Sequence, residues 1–259
     1  MLRHIDFDAI ENFRDFGGYE TACGRGLVAG RLYRSGHHAF ATEGDLARLK
    51  TLGVGAIADL RLASERAREP GRRWDGFDAE VIESDAVSGT PDWVEAMKAS
   101  SLSADWWYQS TLAHYRLHAF EPRHVEVFRR LLRHIADGEG AVVVHCAAGK
   151  DRTGVACALV HHIAGVPHEA MIADYLLTND ESRIARKMAH TAAFVEAVAG
   201  RRPTDEAMRT AVSAFPEFLD AFFESVREAH GSVDAYLEAV LGVDAALRDR
   251  IRERILGPA

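Results

Sequence analysis

The sequence predicts an α/β fold: a mainly parallel central sheet flanked by helices, with a largely helical C-terminal third. Three observations carry this. Residues 54–60 (VGAIADL) and Ala141–His145 (AVVVH) are short apolar runs with the length of buried strands. Helical segments alternate with the strand-like runs, which favours parallel strands covered on both faces. From about Pro167 onward the strand-like runs cease and the pattern is helical throughout.

Taken in order, residues 27–34 (LVAGRLYR) read as a strand. Thr42, with Asp45 three residues later in place of the usual Glu, opens a helix in capping-box style, and Gly53 ends it. Residues 54–60 form the next strand, 79–82 a weaker one, and Ala141–His145 the clearest. Pro167 suits a first helical position, Pro203 and Pro216 punctuate later segments, and Gly231 and Gly242 read as helix stops. Ligands of parallel sheets sit beyond the carboxyl ends of the strands. Both Asp59-Leu60-Arg61 and His145-Cys146 fall at such ends, so one crevice can receive them. We read residues 1–259 as a single domain.

The chain of 259 residues has a formal net charge of -8, which argues against a general nucleic-acid binder. An anionic substrate must then be held by local charges. No apolar run approaches the roughly 18 residues of a membrane span, and the opening MLRHIDFDAIENF is acidic where a signal segment would be apolar. A cytoplasmic protein is expected, with signal-independent secretion left open. Cys23, Cys146 and Cys157 lack CxxC spacing and are odd in number, so neither a zinc site nor a disulfide framework is expected. His114 and His118 lie four apart in a helical stretch without a third ligand at a recognisable spacing, and read as a solvated face; no metal or other cofactor is expected.

The chemistry concentrates in residues 145–154 (HCAAGKDRTG), where a buried strand runs into a glycine-containing loop and then a helix. Cys146 and Arg152 enclose five residues, enough for Cys146, Ala147, Ala148, Gly149, Lys150, Asp151 and Arg152 to curl around one tetrahedral oxyanion. Loop N–H groups, a helix N-terminus and the planar guanidinium fork all suit a phosphate. The same features stabilise a thiolate. A thiolate facing a phosphate monoester can displace the alcohol in line, giving a phosphocysteine that water hydrolyses. Thr153 can donate toward the sulfur and make it a better leaving group. His145 suits orienting the loop through a backbone hydrogen bond. A buried, inert cysteine is the alternative for Cys146, and Cys157, inside the following helix, fits that description.

HCAAGKDRTG resembles the signature loop of cysteine-dependent protein tyrosine phosphatases, in their dual-specificity and lipid-phosphatase-like branch. The residues NFRDFGG (12–18), YRSG (33–36), DLR (59–61) with Glu65, DYLLTN (174–179) and GSVDAYLEAVLG (231–242) are similar to successive blocks of the bacterial tyrosine/serine phosphatase family, so the resemblance spans nearly the whole chain. Phe16 departs from it, standing where leucine is usual. The resemblance implies a phosphate monoester hydrolase acting on phosphotyrosine, in some members on phosphoserine, phosphothreonine or phosphoinositides, without a metal. Cys146 matches the family nucleophile, Arg152 the phosphate-binding arginine, and Lys150 and Asp151 the lysine and aspartate of this branch.

Three aspartates compete as general acid. Asp151 ranks first because the resemblance points into the loop itself; Asp59 ends a neighbouring strand; Asp92 sits in TPDW, a reversal of the mobile acid loop of larger tyrosine phosphatases. Asp59 has a plainer reading, bracing the sheet end through Arg61 or Arg14. Asn12, Arg14 and Asp15, ahead of Gly17-Gly18, read either as catalytic or as a polar turn, and a structural role in support of the site is favoured. Lys150 suits a second cation at the pocket mouth. Trp93, Trp106, Trp107 and Tyr108 read either as core or as a wall of a phosphotyrosine cleft. The stretch 181–214, with Arg183, Arg186, Lys187, Arg201 and Arg202, reads either as a lid, as in related phosphatases, or as a solvated basic face. A phosphatase of inositol phosphates or other small esters, and a non-catalytic phosphate-recognition module, are the competing functions.

Overall fold

The computed structural model describes residues 3–87 and 93–258. Its first half runs β1 (Arg14–Asp15), β2 (Leu32–Ser35), α1 (Glu43–Thr51), β3 (Val54–Asp59), α2 (Ala63–Arg68), β4 (Glu80–Ile82), α3 (Trp93–Ala99), α4 (Ala104–His118), α5 (Pro122–Asp137) and β5 (Ala141–His145). Helices follow: α6 (Asp151–Ala164), α7 (His168–Leu176), a 3-10 turn (Leu177–Asn179), α8 (Glu181–Ala199), α9 (Asp205–Val212), α10 (Pro216–His230), α11 (Val233–Ala239) and α12 (Ala245–Ile255). The strands form one sheet in the order β1-β2-β5-β3-β4, parallel except for β1, as the alternating pattern predicts.

Local chemistry sets the element boundaries. Thr42 Oγ1 accepts from the Asp45 N–H at 3.0 Å, and Asp45 returns the bond to the Thr42 N–H at 3.1 Å, so the capping box forms with aspartate. The same carboxylate accepts from the N–H groups of Asp8 and Ala9, tying the N-terminal segment to α1. The strand expected over residues 27–34 contracts to Leu32–Ser35, because Gly30 takes φ +79° and turns the chain; Leu27 keeps only an isolated bridge to Leu256. Pro167 is the residue before α7, and Pro216 opens α10 as expected.

Alternation along the strands separates two cores. Tyr33, Ile57, Ala141 and Val143 pack with Leu46 and Leu49 of α1 on one face. Leu32, Ala56, Ala58, Val142 and Val144 face the larger core of α5, α6, α10 and α12. A third cluster, Met97, Leu102, Trp107, Val195, Ala207 and Met208, joins α3, the start of α4, α8 and α9. Register then places the site: Ser35 and Asp59 both pair with His145, so three parallel strands end in one row immediately before Cys146.

The larger core is expected to dominate stability. Phe222 of α10 is fully buried within it, and Phe222→Ala should lower the unfolding free energy by about 3–5 kcal/mol in urea titrations. A loss below about 1 kcal/mol would show that the C-terminal helices are not part of that core.

Candidate active site

Cys146 follows β5, is 3 % exposed, and begins a loop whose hydrogen bonding is one-sided. Every carbonyl from Cys146 to Lys150 accepts a bond. His145 Nδ1 donates to Cys146 O at 3.3 Å, and the His37 N–H to Ala147 O at 3.2 Å. Asn12 Nδ2 donates to Ala148 O and Gly149 O, Arg183 to Ala148 O, Arg34 to Gly149 O and Lys150 O, and the Gly154 N–H to Lys150 O. Among the described residues, the N–H groups of Ala147 to Arg152 donate to nothing. Carbonyls engaged behind and amides left free give the geometry that suits an anion, continued by the N-terminus of α6. Gly149 makes the turn: its φ is +66°, and a Cβ there would lie 2.4 Å from Ser35 O.

The donors behind the loop are buried cations with partners of their own. Asp174 of α7 takes Arg34 Nη1 at 2.8 Å and Arg14 Nε at 3.5 Å, and all three side chains are essentially inaccessible. Burial opposes the charge on Asp174, yet Arg14 and Arg34 hold its pKa down at about 2, below the ordinary 3.8. Arg14 also donates to Asn12 Oδ1 at 2.5 Å and so aims the amide that holds Gly149. Asn12 thus touches the loop directly, and Arg14 reaches it through Asn12. Asp15 does not: it accepts from the N–H groups of Gly17 and Gly30 and braces a turn away from the loop.

Arg152, the first residue after Asp151 in α6, is held by Glu65 of α2 through two bonds, Nη1 at 2.5 Å and Nη2 at 2.9 Å, with a third bond to Leu60 O. Burial works against its charge, but Glu65, Cys146 and Asp151 raise its proton affinity above the usual arginine value. Glu65 pays for none of this with exposure: burial would raise its pKa, Arg152 lowers it further, and it rests at about 2. Glu65 carries no role from spacing alone, since only the fold brings α2 against the loop. Arg123 of α5 is a second arginine that the sequence did not single out; it is buried, donates to Leu60 O, and burial and Arg152 lower it to about 10. Lys150 is not at the pocket mouth. It is buried, with Nζ donating to Ala211 O at 2.7 Å and Ser213 O at 3.0 Å, so it clamps the end of α9 to the loop.

The aspartates separate by environment. Asp151 is partly exposed and accepts from Tyr115 Oη at 3.0 Å. Asp59 is buried and accepts from Arg61 through both carboxylate oxygens, with His145 Nε2 3.6 Å away. Burial would raise its pKa, but the hydrogen bonds and charge of Arg61 hold it well below the usual range. The Arg61 contacts occupy both oxygens of Asp59 at the sheet end. Asp92 lies outside the described residues. His145 is buried and lowered to about 4, first by burial, which leaves it a neutral ring stacked on His38. Thr153 is fully buried and its hydroxyl makes no hydrogen bond among the described residues, including to the Cys146 sulfur.

The His114/His118 face differs from its sequence expectation. His118 is 1 % exposed, packed against Tyr115 and His124, so the face it shares with His114 is not solvated; α4 turns it into the interior. Of the aromatic group, Trp107 belongs to the third core and Tyr108 packs on Phe215 and Phe218, while Trp93 stays partly exposed against Trp106. No helix among the described residues is long and apolar enough to cross a membrane.

Residues 5–257 match the model of the tyrosine phosphatase family. A Cupriavidus necator protein named as a tyrosine-protein phosphatase is 33 % identical over 252 residues, 94 % of this chain and 86 % of its own. The triple specificity protein phosphatase PtpB of Mycobacterium tuberculosis is 29 % identical over 277 residues, covering 95 % of this chain and 96 % of its own. A tyrosine-protein phosphatase of Nostoc commune is 35 % identical over 141 residues, 53 % of this chain and 44 % of its own.

Because Asp174 and Glu65 both have pKa values depressed to about 2, their contribution to stability is complete above the unfolded carboxyl range and is lost as pH falls through it toward the folded values. Urea midpoints of the parent should therefore fall between about pH 5 and pH 2. Asp174→Asn, which leaves Arg14 and Arg34 without a counter-charge, should lose about 3–5 kcal/mol at neutral pH, with the gap narrowing on acidification. A gap that is constant with pH would deny Asp174 this role.

Proposed function

The chain belongs to the tyrosine phosphatase family, and on that premise we propose that Cys146 is the nucleophile, Arg152 the phosphate-binding arginine and Asp151 the general acid of phosphotyrosine hydrolysis. The enzyme is a phosphate monoester hydrolase. The observation that supports this assignment most strongly is the one-sided loop: carbonyls occupied behind, amides free in front, and a guanidinium fixed by Glu65 beside them.

In the first step the Cys146 sulfur attacks phosphorus as the bond to the leaving oxygen breaks, and the proton of Asp151 passes to that oxygen. Charge on the three equatorial oxygens is met by the loop amides and the Arg152 fork, which are already in place and need no rearrangement. In the second step Asp151, now a carboxylate, takes a proton from the water that attacks phosphorus. The sulfur departs as thiolate, aided by the Thr153 hydroxyl, which is buried and unspent elsewhere among the described residues. Lys150 acts through the backbone, fixing α9 against the loop.

Phosphoserine, phosphothreonine and phosphoinositides extend the substrate range in this reading; the triple specificity named for the Mycobacterium tuberculosis relative supports a broad range. We further propose one phosphatase domain over residues 1–259, located in the cytoplasm, with residues 181–214 as a lid. The separate core of α3, α4, α8 and α9 supports the lid, because it gives those helices packing of their own.

Release of phosphate from a phosphotyrosine peptide, with chelator present, tests the assignment. The parent should turn over, and Cys146→Ser should lose more than about 1,000-fold in kcat while keeping a folded unfolding profile. Activity retained in Cys146→Ser would overturn the nucleophile. A parent that binds phosphopeptide, phosphoinositide and inositol hexakisphosphate without hydrolysing any of them would favour the phosphate-recognition module.

A further inference from the structure

We propose that Tyr115, backed by Tyr175, is a positioning residue that fixes which oxygen of Asp151 carries the proton. The inference rests on the reading of Asp151 as general acid. Tyr115 Oη donates to Asp151 Oδ1 at 3.0 Å, and the hydroxyls of Tyr115 and Tyr175 are 2.6 Å apart. A hydroxyl has one proton. If the Tyr115 proton goes to Asp151, the short Tyr–Tyr bond must be donated by Tyr175, and the chain runs Tyr175 to Tyr115 to Oδ1.

Both rings are fixed by burial. Tyr115 is fully buried in α4, stacked on Phe218 and edge-on to His118. Tyr175 is 1 % exposed in α7, directly over α6: a Cβ on Gly154 would meet its ring at 2.9 Å, so that glycine permits the approach. Lys150 Nζ lies 3.6 Å from the same Oδ1. Oδ1 is therefore approached by a hydroxyl and a cation, whereas Oδ2 makes no hydrogen bond among the described residues. The carbonyl oxygen of a carboxylic acid is its better acceptor, so a hydroxyl and a cation at Oδ1 favour the proton on Oδ2, the atom left to meet the leaving oxygen. After proton transfer the same two groups face the new carboxylate, so no side chain need move between steps.

A residue that acts on proton delivery shows itself in leaving-group dependence, whereas a merely structural one lowers all substrates together. The ratio of kcat for phenyl phosphate to kcat for p-nitrophenyl phosphate reads this, since the second needs little protonation. Asp151→Asn should lower the ratio by about 100-fold, and Tyr115→Phe, which removes one oxygen, by about tenfold. In the Asp151→Asn background, Tyr115→Phe should change the ratio less than about twofold. Equal losses on both substrates, or a tenfold effect that persists without Asp151, would overturn the role of Tyr115. If Asp151→Asn leaves the ratio unchanged, the acid assignment itself fails and the inference falls with it. Should Tyr115→Phe not fold, Tyr175→Phe keeps the test: it removes the backing donor and should lower the ratio about threefold, and an unchanged ratio would overturn the proposal.

Discussion

A loop that offers its amides to an anion must bury its carbonyls, and the rest of this structure follows from meeting that requirement. Five consecutive carbonyls accept from donors of the protein behind the loop. Asn12, Arg34 and Arg183 provide side-chain donors, and His37 a backbone one. Buried guanidinium groups are themselves costly unless paired. Asp174 answers that cost for Arg14 and Arg34 together, so a residue in α7 governs a loop more than twenty positions earlier in the chain.

The same logic shows how a chain of formal charge -8 can present a locally cationic loop. Positive charge is gathered at one point, with each cation assigned a separate task. Arg152 is aimed by Glu65, Arg34 and Arg183 hold the loop from behind, and Lys150 fixes α9. The carboxylates Glu65, Asp59 and Asp174 stay ionised because each sits against an arginine, and they set geometry. Asp151 differs, since its contacts are a tyrosine and a more distant lysine. Environment thus separates three arginine-paired acids from Asp151, the proposed proton carrier.

Much of this was legible in the sequence. The parallel sheet, the capping box at Thr42, the strand Ala141–His145 and the loop that follows it rest on local patterns, and local patterns survive folding. Asn12, Arg14 and Asp15 were readable as a polar turn ahead of a glycine pair, and the fold carries Asn12 to the loop carbonyls. Less legible were features that depend on distant elements meeting: Glu65 on Arg152, Lys150 on the end of α9, Tyr115 on Asp151. The helix α5 opens with Pro122 and has a buried apolar stripe from Val127 to Ile135, so its signal was present and unused. Asp59 shows the opposite case, where position at a strand end suggested chemistry and the adjacent Arg61 occupies both carboxylate oxygens.

On the proposed assignment, the amides of Ala147 to Arg152 form an oxyanion site that needs no rearrangement to receive phosphate. The direct measurement is a titration of the protein with inorganic phosphate followed through backbone amide resonances. Saturable shifts concentrated on those six residues, and retained in Cys146→Ser, are what the account expects. Phosphate that binds without moving them, or moves only surface arginines elsewhere, would contradict it.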